Sequence, residues 1–168
     1  MHNSVLSERI FEILAVHVTD IEKEKEAIIK TFYADNAGIG MDIEAFFREY
    51  TAAIESYLKN VKVRKEGTDT CPLTIIGSTA VVRDTADMEQ YSYHIVLPYA
   101  KKVSRDMSYA SCLSPMGRAL LLKTVGSKVS IQTPADLLSY EVMSIVLPDH
   151  DMENKHVQLF HGHANIAL

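Results

Sequence analysis

The chain of 168 residues has only two cysteines, Cys71 and Cys112, far apart and in no metal-ligand spacing. That excludes a disulfide framework, which needs a denser set in a secreted chain. No apolar stretch approaches the roughly 20 residues that a membrane span requires. Glu8 and Glu12 stand near the start, and no basic stretch precedes an apolar run, so a signal peptide is not expected. Basic excess is also missing: the formal net charge is −5, which offers no electrostatic grip on nucleic acid. There is no glycine-rich phosphate loop, and no Ser-His-Asp or Cys-His arrangement follows from spacing. These absences leave a soluble protein of a reducing compartment, with a cytoplasmic location and no membrane or sequence-specific nucleic-acid partner expected.

A hydrophobic fraction of 47% with 23% charged residues is enough apolar surface to offset chain entropy in a folded core. The charge is uneven. Residues 1–72 carry 9 basic and 13 acidic side chains, whereas residues 73–148 carry 7 and 6. A near-neutral part beside an acidic one suits a protein partner better than bare DNA.

The first 60 residues read at helical period. Phe11, Leu14, Val18, Ile21, Ile28 and Phe32 advance by three, four and seven, with Lys25 in the missing seam position. The run Glu22–Glu26 is read as a solvated face. Ile43, Phe46, Phe47, Tyr50, Ile54, Tyr57 and Val61 form a second stripe. Between them, residues 35–40 contain two glycines and polar turn formers, and Asp42 is placed to cap the second helix. Two amphipathic helices joined by a short loop bury each other's stripe, so an antiparallel helical hairpin is predicted.

Beyond Gly67–Pro72 the pattern changes to short segments rich in β-branched and aromatic residues. Strands are predicted over Leu73–Val82, Gln90–Leu97, Val129–Thr133 and Leu138–Leu147. One helix interrupts them, with Ser114 as N-cap, Pro115 as its first residue and Gly126 closing the unit. The expected class is α+β: a helical hairpin over 1–66, a small antiparallel β-domain with one helix over 67–150, and a variable tail over 151–168.

The run Ser111-Cys112-Leu113-Ser114-Pro115-Met116-Gly117-Arg118-Ala119-Leu120-Leu121, followed by Val125-Gly126 and Val129, resembles the signature of the bacterial GreA/GreB transcription-elongation factors. Ile75-Ile76-Gly77-Ser78 and Tyr93-His94-Ile95-Val96 match its upstream strands, and Pro134 and Tyr140-Glu141-Val142 its closing hairpin. The resemblance spans roughly Leu73 to Pro148. It implies an FKBP-like β-domain that docks on RNA polymerase near the secondary channel, and an N-terminal coiled coil that enters the channel. Acidic residues at the family's tip help hold a magnesium ion while the polymerase itself cleaves the transcript. The chain is therefore not expected to be an enzyme or to carry a cofactor, beyond magnesium shared at the polymerase active site.

The sequence departs from the family in three places. Gly126-Ser127 stands for the usual Gly-Asp, and Ala135-Asp136 for a glycine-rich turn. The hairpin loop lacks the Asp-x-x-Glu tip pattern and offers Asp35, Asp42 and Glu44. Those three are read either as a magnesium-assisting tip or as a loop acid, a helix cap and a first-turn acid. The second helix, about 29 Å long at 19 residues, also looks shorter than in cleavage-competent members. Polymerase binding without robust cleavage stimulation is expected, a divergent member with a shortened hairpin.

Ser114, Pro115, Met116, Gly117 and Arg118 are the candidate polymerase contacts; packing on the sheet is the competing reading for Met116 and Gly117. Two other functions fit the same elements. A prolyl-isomerase reading needs an aromatic cage, yet residues 67–150 contain neither Phe nor Trp. An adaptor with another protein target would use the hairpin as a coiled coil. In the tail, His150, His156, His161 and His163 permit a metal reading, but no His-x-x-x-His or Cys-x-x-Cys spacing accompanies them.

Overall fold

The computed structural model describes residues 5–36, 40–102 and 104–147. The tail histidines, the variable tail, Pro148 and residues 37–39 of the hairpin loop lie outside the described residues. The chain divides into two compact units, Met1–Asp69 and Thr70–Leu168.

In the first unit, β1 (Val5–Leu6) leads into α1 (Glu8–Asp35), and α2 (Ile43–Asn60) leads into β2 (Lys62–Val63). Ser7 starts α1: its hydroxyl accepts from the Ile10 amide at 3.2 Å and donates to Asp69 at 2.8 Å. Asp42 starts α2 as predicted, its Oδ1 accepting from the Ala45 amide at 2.9 Å. The two helices pack on each other along the stripes. Ile10, Leu14, Val18, Ile21, Ile28 and Phe32 are buried on α1, and Ile43, Phe47, Tyr50 and Ile54 on α2. Each fully buried aliphatic side chain contributes about 2 kcal/mol. At the outer ends of the two helices in sequence, β1 and β2 pair in parallel, Val5 with Lys62 and Leu6 with Val63.

Two readings of this unit are corrected. The stripe of α1 continues back through Ile10, fully buried, and Phe11 is only half-buried, because Leu14 lies four residues after Ile10. The Glu22–Glu26 run is not only a solvated face. Glu22 accepts from Thr51 of α2 at 3.0 Å and pairs with Lys25 at 2.6 Å, so one acid of the run ties the helices together. The Lys25 hydrogen bond, ahead of a smaller opposing effect of burial, holds the Glu22 carboxyl below its ordinary range.

His17 is fully buried on α1, where its Nε2 lies 2.7 Å from the Tyr50 hydroxyl of α2. The rings meet edge-on at 5.9 Å. The cost of burying an imidazole is thus offset by a hydrogen bond across the helix interface.

The second unit is a five-stranded sheet of order β5-β4-β3-β7-β6. Its strands are β3 (Thr79–Asp84), β4 (Gln90–Val96), β5 (Ser108–Ser111), β6 (Lys128–Gln132) and β7 (Leu137–Val146), with α3 (Pro115–Leu120) between β5 and β6. Adjacent strands run antiparallel except β4 and β5, which are parallel, so the sheet is antiparallel-rich rather than wholly antiparallel. Strand β5 lies outside the four segments predicted as strands. The predicted strand Leu73–Val82 begins only at Thr79. Residues 73–78 form a buried turn instead, closed by the Ser78 hydroxyl, which accepts from the Ile75 amide at 3.0 Å and donates to its carbonyl at 2.7 Å. Gly77 supplies the φ of +95° that this turn requires. The helix is also shorter than predicted: it ends at Leu120, and Leu122 already has φ +64°. Ala80, Val82, Ile95, Leu120 and Val142 are buried at 0% exposure and form the centre of this core.

Candidate functional site

The segment from Ser111 to Arg118 is a built turn. Two bonds from Ser114 converge on the Ser111 carbonyl, one from its hydroxyl at 2.7 Å and one from its amide at 3.0 Å. The same hydroxyl accepts from the Gly117 amide at 3.0 Å and so caps α3. Pro115 occupies the first helical position, where its missing N–H removes no helical bond. The predicted cap and first residue are therefore those observed. Gly117 is buried because the helix start lies against the preceding chain. A Cβ there would fall 1.9 Å from the Ser111 carbonyl oxygen.

These constraints hold the backbone of the turn while leaving part of it accessible. Pro115 and Arg118 are exposed, and Ser114 and Met116 half-buried. No hydrogen bond or ion pair to another described residue engages the Arg118 guanidinium. An exposed cation on a fixed helical turn, beside a proline ring, suits an anionic or mixed protein surface. Ser114→Ala is expected to cost about 1 kcal/mol of stability, from the lost cap; chemical denaturation checks it.

The acidic candidates are placed differently. Asp35 is the last residue of α1, Asp42 the cap of α2, and Glu44 lies in the first turn of α2. All three are exposed. One Asp42 oxygen is engaged with the Ala45 amide, and Glu44 follows two residues later, a spacing that turns the two side chains to different sides of a helix. Among the described residues, no group of three or more His, Cys, Asp or Glu side chains is placed to hold one metal ion.

Neither cysteine has the character of a nucleophile. Burial pushes the Cys71 thiol up to about 11 and the Cys112 thiol up to about 12, so the thiolate is suppressed.

Comparison with known proteins connects the turn to a family. The family model described as Transcription elongation factor, GreA/GreB, C-term matches residues 73–146, which contain all five strands of the second unit and α3. Transcription elongation factor GreA of Rickettsia prowazekii is 30% identical over 145 residues, 81% of this chain and 88% of that protein. A match of that extent is longer than the second unit and takes in part of the hairpin. The chain belongs to the GreA/GreB family. The GreA of Syntrophobacter fumaroxidans is more alike over a shorter span, 41% identical over 71 residues. There the match covers 42% of this chain and 44% of that protein, so the chain spans less than half the length of this relative. The crystal structure of Thermus aquaticus Gfh1 is 26% identical over 85% of this chain and 98% of its own, with a TM-score of 0.40. Within this family member, no described helix is long and apolar enough to cross a membrane.

Proposed function

We propose that this chain binds RNA polymerase and regulates transcription elongation, docking through its second unit at the secondary channel while the hairpin occupies the channel mouth. The observation that carries this reading is the family match over residues 73–146, in which the Ser114–Arg118 turn presents a fixed, exposed arginine. On this reading Arg118 and Pro115 touch the polymerase, Ser114 and Gly117 hold the turn, and Met116 is shared between contact and packing.

The hairpin does not robustly stimulate transcript cleavage in this proposal. Support comes from the tip: Asp42 is occupied in capping α2, and Asp35 and Glu44 sit on different helices. At about 1.5 Å per residue, the 18 residues of α2 span about 27 Å. The chain would act by occupying the channel mouth, where it changes pausing, backtracking or the access of other factors.

The test is a backtracked elongation complex with and without the protein, read for both binding and transcript cleavage. Binding without added cleavage is expected. Arg118→Ala should weaken binding about tenfold with an unchanged thermal transition, the scale of one interfacial arginine. Cleavage that is stimulated, and then lost in Asp42→Ala or Glu44→Ala, would make the tip catalytically engaged. Absence of binding would overturn the polymerase reading altogether.

A further inference from the structure

The central strand of the sheet carries small residues between large ones. Ala80 and Val82 of β3 pair across the ladder with Tyr93 and Tyr91 of β4. On the other side of β3, Tyr140 of β7 stands opposite Asp84. Neighbouring strands lie about 4.8 Å apart, so β4 and β7 are about 10 Å from each other. Yet the Tyr91 and Tyr140 ring centroids are 6.4 Å apart, as are those of Tyr93 and Tyr140, all edge-on. The tyrosines therefore lean inward over β3 and roof the small side chains with an aromatic surface. Tyr140 is 5% exposed and meets the Tyr93 ring edge-on, whereas Tyr91 is 37% exposed and offers its ring to the outside.

At the open end of this aromatic face lies the turn between β3 and β4. Residues 84–89 hold Asp84, Asp87 and Glu89 and no basic residue. The Tyr91 hydroxyl donates to Glu89 at 3.2 Å, which keeps that carboxylate beside the ring. Asp84 and Asp87 each accept one backbone amide of the turn, at 2.8 Å, so the loop has a fixed shape. Among the described residues, none of the three carboxylates has a cationic partner. Met88 of the same turn, 58% exposed, adds an apolar surface.

Each part selects the same kind of ligand group. Aromatic faces attract cations, and carboxylates beside them supply the countercharge. A guanidinium matches both, since its plane lies on a ring while its edge meets a carboxylate fork. Phosphate-bearing nucleic acid meets three uncompensated negative charges and is repelled. The face is open rather than enclosed, so binding there needs the additional contacts of a larger chain.

We propose that this tyrosine face and its acidic turn form a docking surface for an arginine- or lysine-bearing segment of a protein partner. It acts in addition to the Ser114–Arg118 turn and does not depend on the identity of that turn's partner.

The experiment is a heteronuclear NMR titration of the full chain with hexa-arginine peptide, with hexa-glutamate and oligouridine run in parallel. With hexa-arginine, amide shifts should concentrate in residues 84–93 and at Tyr140, and neither anionic probe should move them. The double substitution Asp87→Asn and Glu89→Gln keeps the hydrogen-bonding atoms of the turn and should weaken hexa-arginine binding about fivefold. Shifts scattered along the acidic α1 and α2, or no shifts at all, would overturn the proposal. So would equal affinity in the double variant, or oligouridine binding at the tyrosine face.

Discussion

Gly117→Ala is expected to destabilise the second unit by about 3 kcal/mol, lowering its thermal midpoint by roughly 15 °C. The cause is not backbone freedom, since Gly117 lies within the right-handed helix α3. It is space. The added carbon would sit 1.9 Å from the Ser111 carbonyl oxygen and 2.8 Å from the carbonyl carbon, both backbone atoms that no rotamer change can move. That oxygen also accepts the amide and hydroxyl of Ser114, so displacing it disturbs the cap of α3. The strand before it is fixed as well, because Ser111 pairs with Val96 of β4. Strain introduced at one methyl group would thus spread into the strand edge and the helix start together. Differential scanning calorimetry checks this; a midpoint within about 3 °C of the wild type would mean that α3 can slide away from the strand.

On the proposed function, the same substitution separates two reasons for losing polymerase binding. Gly117→Ala should reduce binding by loosening the turn, with a matching fall in stability. Arg118→Ala should reduce it with none, because Arg118 is exposed and its guanidinium makes no hydrogen bond or ion pair to a described residue.

The parts of the fold legible in the sequence are those set by local chemistry. Asp42 and Ser114 are acceptors just before apolar helical runs, and both cap as predicted. The stripes of α1 and α2 were legible because burial on one helix face repeats at short range. What escaped depended on partners distant in sequence. His17 looks polar on its own and becomes a core residue only through Tyr50, 33 positions later. Ser108–Ser111 has no β-branched residue and becomes a strand because β4 offers it a parallel edge. Ile75 and Ile76 carry a strong strand propensity, but Gly77 and Ser78 turn the chain there, and a buried turn uses apolar residues as readily as a strand does.

For the candidate site, the residue types of the Ser114–Arg118 turn were readable, and so were the roles of cap and first residue. The reason for Gly117 was anticipated as close packing, but its counterpart, the Ser111 carbonyl, is a feature of three-dimensional approach. The tyrosine face was not readable. The convergence of Tyr91, Tyr93 and Tyr140 over Ala80 and Val82 comes from the strand order β4-β3-β7.

In the hairpin, Phe47→Ala is expected to cost about 4 kcal/mol, the usual scale for emptying a buried phenylalanine site. Phe47 is 1% exposed and lies in the middle of the buried stripe of α2, between Ile43 and Ile54. A unit of this size has about 5–7 kcal/mol of stability in total, so the loss would remove most of it. Two packed helices have no further layer that can close over the cavity. Phe46 provides the control. It is the same residue type in the same turn of α2, and it meets Phe47 edge-on at 5.3 Å, but it is only half-buried. Phe46→Ala should therefore cost about 1 kcal/mol. Circular dichroism at 222 nm during thermal unfolding distinguishes the two: helix signal should melt far earlier in Phe47→Ala than in Phe46→Ala. Equal costs would mean that α2 turns a different face to α1 than the burial of Ile43, Phe47, Tyr50 and Ile54 requires. In that case the His17–Tyr50 bond could not form either, since it needs that same face.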